Sequence, residues 1–263
     1  MSKRKQLRAL DEAEAQELFA EQDPVEMALD TFLAEGLISA VLYPVKSGKE
    51  ATVYCCQAPA AAGGKLFAAK IYRSRDHRGF KNDAVYQEGR VITKGQVRRA
   101  VQKKSRFGRE VQFDLWIDHE FEALTILHRA GVSVPQPVAR AQSAILMEYI
   151  GDHQRAAPSL GGNDLSPRQA RIVFDSVLND IERCLAHNYI HGDLSAHNIL
   201  YWQQRARIID FPQAVDPRFN PNAFFLLARD IENVCQYFAR YDLLYDGRRI
   251  SEQLWRKFKN ARL

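Results

Sequence analysis

The run Ile190-His191-Gly192-Asp193-Leu194-Ser195-Ala196-His197-Asn198-Ile199-Leu200, followed by Ile208-Ile209-Asp210, restricts what this chain can become more than any other part of it. It supplies an aspartate, then an asparagine five residues later, then a second aspartate at the end of the next apolar strand. Phosphoryl transfer needs such a set: one carboxylate to orient the nucleophile, and oxygen ligands that hold a divalent cation against nucleotide phosphates. Asp193 is the expected base, and Asn198 and Asp210 are the expected metal ligands. Each residue alone has an ordinary reading, as a loop cap or a strand end. The ordered set is much harder to reach that way.

The remaining parts of such a site lie upstream. Lys70 closes the run Phe67-Ala68-Ala69-Lys70, where the protein-kinase pattern has a strand lysine that holds phosphates and pairs with a helix glutamate. Taken alone, it is equally a solvated strand-end lysine. Glu120 shifts that balance. Trp116, Glu120, Leu124 and Leu127 share one face of a helix expected over about Asp114 to Ala130, stopped by Gly131 and by Pro135 and Pro137. An acid on an otherwise apolar stripe calls for a buried cationic partner, so the two observations support one ion pair. Between the first two expected strands, Val45-Lys46-Ser47-Gly48-Lys49-Glu50-Ala51-Thr52-Val53-Tyr54 stands where a phosphate-covering loop belongs. Its single glycine matches neither a multi-glycine kinase loop nor G-x-x-x-x-G-K-[ST], and composition alone makes it a hairpin turn. Position gives it weight: Ser47 and Lys49 offer side-chain donors, and the backbone at Gly48 can approach a phosphate closely. His191 is read as a brace of its loop rather than a chemical participant.

With 263 residues, 46% of them hydrophobic and 26% charged, the chain can bury a substantial core as one domain or two packed lobes. No run approaches the apolar length of a membrane span. Met1-Ser2-Lys3-Arg4-Lys5 leads into acidic, amphipathic sequence rather than a secretion signal, so a cytoplasmic location is expected. Cys55, Cys56, Cys184 and Cys235 form no CxxC pair and read as reduced structural thiols. The formal charge of +5 favours anionic partners such as nucleotides or RNA without choosing between them.

Residues 1–37 read as a helical or flexible extension. A small antiparallel sheet is expected from Ile38 onward: Val41, Tyr43 and Val45 alternate, Thr52-Val53-Tyr54 follow a glycine turn, and Leu66 to Tyr72 form a further strand. The basic stretch over about 73–113, with Lys94, Arg98, Arg99, Lys103, Lys104, Arg106 and Arg109, lacks apolar periodicity and reads as an insertion holding at most a short helix. Ala144 to Gly151 reads as a strand entering a linker, dividing a lobe at 38–151 from a mainly helical one at 152–263. There Ser166 and Pro167 have N-cap and first-turn chemistry for a helix patterned by Ile172, Val173, Val177, Leu178, Ile181 and Leu185. Short strands around Ile199 to Trp202 and Ala206 to Ile209 bracket a turn, and helices are expected from Asn222 to Arg240 and from Ser251 to the end.

Taken in order, the SGKEATVY loop, the AAKIY strand, the W-x-x-x-E helix, the MEYIG linker, HGDLSAHNILY and IIDFPQAVDP resemble the RIO family of atypical serine/threonine protein kinases, in the manner of a bacterial-type single-domain member. The segment Ala223 to Asp230, with Asn233-Val234 beyond it, extends the resemblance to roughly residues 38–245. The resemblance implies an α+β, two-lobed protein-kinase-like fold with a small antiparallel-sheet N-lobe and a mainly helical C-lobe. It implies ATP and magnesium, or manganese in its place. Met147, Glu148 and Ile150 would line the adenine site mainly through backbone groups. Ser47, Gly48, Lys49, Val53 and Lys70 would surround the nucleotide, and Ser195 would belong to the catalytic loop beside Asp193. It further implies autophosphorylation on serine, ATP hydrolysis through an aspartyl-phosphate at Asp210, and a role in small ribosomal subunit maturation. Asp210-Phe211-Pro212 replaces D-F-G and no A-P-E follows, in keeping with a family that lacks the long activation segment. The insertion before Glu120 does not reproduce the family's flexible-loop sequence, and no appended winged helix is expected.

Two other readings use the same residues. A small-molecule kinase like the aminoglycoside and choline phosphotransferases shares H-G-D, the asparagine and I-D-F, but not the SGKEATVY loop, the DFPQ motif or R-D-x-x-N-V. An ATPase switch acting as a ribosome assembly factor would use Lys3-Arg4-Lys5, the basic insertion and Arg256-Lys257-Phe258-Lys259 against RNA phosphates, although such residues are as readily solvated faces.

Overall fold

A computed structural model describes residues 24–73 and 106–263 of the chain; the start of the expected extension and residues 74–105 of the insertion expected over about 73–113 lie outside the described residues. Strands β1 (Ala40–Ser47), β2 (Ala51–Gln57), β3 (Leu66–Tyr72), β4 (Pro137–Ala141) and β5 (Ala144–Glu148) form an antiparallel sheet in the order β1-β2-β3-β5-β4. Both edge strands carry proline, Pro44 in β1 and Pro137 at the start of β4. The missing N–H is tolerated there, and the register shifts beside both prolines. The sequence does not announce β4, because Pro135 just before it and Pro137 at its start read as stop signals for the preceding helix.

Alternation along the central strands sorts their side chains between two faces. Ala69 and Ile71 of β3, with Leu146 of β5 and Cys56 of β2, pack against Ala28, Leu29 and Phe32 of helix α1 (Pro24–Ala34). Ala68 and Tyr72, with Ile145, Met147 and Cys55, face the other way, toward helix α2 (Arg106–Arg129) and the second lobe. Helix α2 starts at Arg106, well before the expected Asp114, because its first turns lack the apolar stripe that marks the rest. It ends where expected, at Gly131 with φ +76, a left-handed conformation that glycine adopts without strain.

The second lobe contains helix α3 (Pro167–Ala186), the hairpin β6 (Ile199–Trp202) and β7 (Arg205–Ile208), helix α4 (Ala223–Phe238) and helix α5 (Gly247–Lys259). A buried apolar cluster joins the two lobes: Trp116, Ile117, Leu124 and Leu127 of α2 are continuous with Phe174, Val177, Leu185, Phe211, Leu226, Leu227 and Phe238. The four cysteines are buried and unpaired with one another. No helix among the described residues is long and apolar enough to cross a membrane.

Candidate active site

The site is built around Lys70. Strand β3 pairs Lys70 with Val53 of β2 and Ile145 of β5, and its alternation turns the lysine to the cleft face. Lys70 Nζ donates to Glu120 Oε1 at 2.8 Å and Oε2 at 3.1 Å, and to Asp210 Oδ1 at 2.6 Å. One ammonium therefore joins the sheet, helix α2 and the end of the β6–β7 hairpin. Glu120 is 1% exposed and takes two further bonds, from the Tyr72 hydroxyl and, at 3.3 Å, from the Phe211 amide. This extent of hydrogen bonding offsets the cost of burying a carboxyl group inside a core. Tyr72 is itself held edge-on to Trp116 at 5.0 Å between ring centroids. Nothing in the sequence separates Tyr72 from an ordinary strand aromatic, so sequence reasoning misses its contact with Glu120.

Asp193 and Asn198 lie across the cleft on the loop that opens with Ile190. His191 is 5% exposed; its Nε2 donates to Ile209 O at 3.0 Å, and its Nδ1 accepts from Asp193 N at 3.3 Å. That pairing assigns the proton to Nε2. The imidazole thus ties the Asp193 loop to the residue before Asp210, the bracing role read from the sequence. Asn198 Nδ2 donates to the Asp193 carbonyl at 2.9 Å, which fixes the amide and turns its oxygen away from that carbonyl. Ser195 Oγ accepts from His197 N at 3.4 Å, opening the short 3-10 turn at Ala196–Asn198.

Helix α4 holds this loop from below. Asp230, 2% exposed, accepts from Gly192 N at 2.7 Å and Leu194 N at 3.0 Å. Arg229 Nη2 donates to Gly192 O, and Asn233 Nδ2 donates to Leu194 O at 2.9 Å. These three residues position the loop without standing in the cleft. A signal for one of them exists in the sequence, since Asp230 interrupts the apolar stripe of Leu226, Leu227, Ile231 and Val234 just as Glu120 interrupts its own.

The remaining expected residues are placed as follows. Met147 and Glu148 close β5 opposite Ala68 and Phe67. The Glu148 carboxylate turns to β4, accepting from Gln136 N at 3.2 Å, while its own amide donates to Gln136 O at 2.8 Å. Ile150 O accepts from Ala157 N at 2.8 Å. Gly151 follows at φ +147, and a Cβ there would lie 2.5 Å from Arg155 O. In the β1–β2 turn, Ser47 Oγ accepts from Arg73 Nη2 at 2.7 Å, and Gly48 N donates to Ala51 O at 2.9 Å. Gly48 N is thus engaged within the turn and Ser47 Oγ by Arg73 just after β3, while Lys49 is exposed and Val53 packs against the core.

Electrostatics separate the two aspartates. Burial alone would raise the Asp210 pKa, but the charge and hydrogen bond of Lys70 outweigh it and hold Asp210 below the ordinary carboxylate range. Asp193 is pushed upward by burial, with His191 and Arg229 opposing and the charge of Asp210 adding to the rise. Burial lowers the Lys70 pKa, yet Asp210 and Glu120 together hold it well above its usual value. The two carboxylates are thus shifted in opposite directions, Asp210 toward its ionised form by Lys70 and Asp193 toward its protonated form by burial.

Asp210 stands at φ +73 and keeps 39% of its side chain accessible, with Oδ1 on Lys70. Together with the Asn198 amide it offers hard oxygen donors. Among the described residues no group of three His, Cys, Asp or Glu side chains can hold a metal by itself. Magnesium is commonly bound by one or two carboxylates plus nucleotide phosphates, so this donor set fits a cation that arrives with its nucleotide.

An antiparallel sheet over a helical lobe, with a lysine, a helix glutamate and two loop aspartates gathered between them, defines a protein-kinase-like fold. The model of the RIO domain matches residues 52–249, and the chain belongs to that family. Serine/threonine-protein kinase rio1 of Schizosaccharomyces pombe is 31% identical over 223 residues, covering 83% of this chain and 42% of its own length. RIO-type serine/threonine-protein kinase Rio1 of Thermoplasma acidophilum is 28% identical over 198 residues, covering 75% of this chain and 98% of its own length. Among solved structures, the Rio2 kinase–ADP/Mg2+–phosphoaspartate complex from Chaetomium thermophilum is similar at a TM-score of 0.60 and 22% identity, over 91% of this chain and 77% of that one. The chain spans less than half the length of the S. pombe relative and of the Rio1 relative from Chaetomium thermophilum.

Proposed function

We propose that this chain is an ATP- and magnesium-dependent serine/threonine protein kinase of RIO type, acting on serine and on itself. The observation that carries the reading is the single ammonium of Lys70 shared between Glu120 and Asp210. On this reading residues 38–151 form the nucleotide-covering lobe and 152–263 the catalytic-loop lobe. Lys70 holds the nucleotide phosphates, and Met147, Glu148 and Ile150 border the adenine. Ser47, Gly48, Lys49 and Val53 cover the nucleotide from above, and Ser195 lies beside the base. Asp210 and Asn198 are the cation ligands; when bound, the cation neutralises charge on the β- and γ-phosphates. Asp193 accepts the proton of the acceptor hydroxyl as its oxygen bonds to the γ-phosphorus and the bond to the β-bridging oxygen breaks, releasing ADP.

A second reading is supported by the state of Asp210, ionised beside Lys70 and open to the cleft. A Rio2 kinase has been solved as a phosphoaspartate complex. Here an Asp210 oxygen would take the γ-phosphoryl group from ATP and water would then release phosphate, making the chain an ATPase switch. Contact with RNA or a ribosomal particle would then fall to the basic segments. Of these, Arg256 to Lys259 is described, and it is partly engaged already: Lys257 is 2.6 Å from Glu182 and Lys259 lies over the Trp255 ring.

Purified protein with γ-labelled ATP and magnesium, followed for free phosphate and protein-bound label, tests both. Acid-stable label on serine is expected, lost in Asp193→Asn and in Asp210→Asn while both variants stay folded. A fully active, folded Asp210→Asn sinks the cation assignment. Hydroxylamine-labile label with released phosphate favours the switch, and no product at all returns the question to small-molecule acceptors.

A further inference from the structure

Helix α2 reaches the loop after Asp210 through two consecutive residues. Glu120 Oε1 accepts from Phe211 N at 3.3 Å, and His119 Nε2 meets the Ala214 carbonyl oxygen at 2.8 Å. A carbonyl oxygen only accepts, so His119 Nε2 carries the proton. Phe211 and Ala214 are the two ends of one turn, closed by Ala214 N donating to Phe211 O at 3.0 Å. Immediately beyond it, Val215 and Ile190 exchange both backbone bonds, at 2.9 and 3.0 Å. The turn is thus attached on one side, through an isolated antiparallel bridge from Val215, to Ile190, which leads into the Asp193 loop, and on the other to α2. Ala214 is fully buried, so its carbonyl would be left without this donor in a dry setting if His119 were removed. The His119 ring is half-buried and 6.2 Å from that of Tyr189, which limits its freedom to turn away.

We propose that His119 is a positioning residue that clamps α2 to the turn after Asp210 and so keeps Glu120 seated on Lys70. The inference rests on reading Lys70, Glu120 and Asp210 as the nucleotide site. Its logic is geometric: Glu120 can hold Lys70 only while α2 lies against the cleft, and His119 fixes the adjacent step of that helix. The donor, rather than the ring, is what matters, and a glutamine amide at the same position can supply it.

The test compares His119→Ala and His119→Gln in the full chain by steady-state kinetics and by hydrogen–deuterium exchange over residues 209–216 and 113–129. For His119→Ala, kcat is expected to fall about tenfold, roughly the worth of one ordinary hydrogen bond, with KM for ATP changed far less. His119→Gln should recover most of the loss. Added to Glu120→Gln, His119→Ala should cost little more than Glu120→Gln alone, because one acts through the other. Exchange over 209–216 should quicken in His119→Ala and return toward normal in His119→Gln. Unchanged exchange in His119→Ala overturns the clamp, as does a glutamine variant no better than alanine. A wild-type chain without phosphoryl transfer would defeat the kinase reading instead, and the exchange data would still decide the clamp.

Discussion

Asp230 shows how much one carboxylate is asked to do when it is placed under a loop. Burial pushes its pKa up to about 6, with His191 and the two backbone amides that it accepts from pulling the other way. The sign of the linkage follows. A carboxyl whose pKa is raised on folding favours the folded state below its unfolded value near 4 and loses that contribution as pH rises toward 6. The stability of wild type relative to Asp230→Asn is therefore expected to decline between about pH 4 and 6, by at most roughly 3 kcal/mol, and to level above. Urea melts of both proteins across that range measure it, and a flat difference would mean that burial does not hold the proton on. Tyr72 offers a second test. Its hydroxyl is one of the groups that stabilise Glu120 in the core, so Tyr72→Phe should cost on the order of 1–3 kcal/mol in a urea melt. It should also lower kcat, because Glu120 then holds Lys70 less firmly.

At the scale of elements, the legible parts were those whose signal is local. Helix α3 carries a complete N-terminal capping box: Gln169 N donates to Ser166 Oγ at 3.3 Å, Ser166 N donates to Gln169 Oε1 at 2.9 Å, and Pro167 fills the first turn. Ser166→Ala should cost about 1 kcal/mol of stability while leaving phosphoryl transfer unchanged, which makes it a control for variants in the cleft. Strand β3 could likewise be read residue for residue from its apolar run. Glu120 could be found because an acid on an apolar stripe is conspicuous. Tyr72, Asp230 and His119 could not be assigned their contacts, since each is defined by a partner far away in the chain: Glu120, the Gly192 and Leu194 amides, and the Ala214 carbonyl. Strand β4 was hidden by Pro135 and Pro137 at its entry and the start of α2 by its polarity. In both cases tertiary placement decided what propensity could not.

For the whole molecule, the decisive feature is the apolar cluster shared by both lobes. Trp116 and Leu124 from α2 and Phe211 and Leu226 from the helical lobe belong to one buried body, crossed by the Lys70–Glu120–Asp210 cluster. Thermal unfolding by calorimetry should accordingly show one cooperative transition rather than two. If the nucleotide reading holds, ATP with magnesium at a hundred times its Kd should raise stability by about 3 kcal/mol. A second, separately titrating transition would mean that the lobes unfold independently. The same cluster changes the meaning of the linker. Asp152, His153, Gln154 and Arg155 form an exposed tip, the kind of place where a protease cuts first. A chain nicked there would leave two fragments whose apolar faces are still pressed together. They would migrate as one particle until a denaturant parted them, so the covalent bond between the lobes sets their order along the chain and not their adhesion.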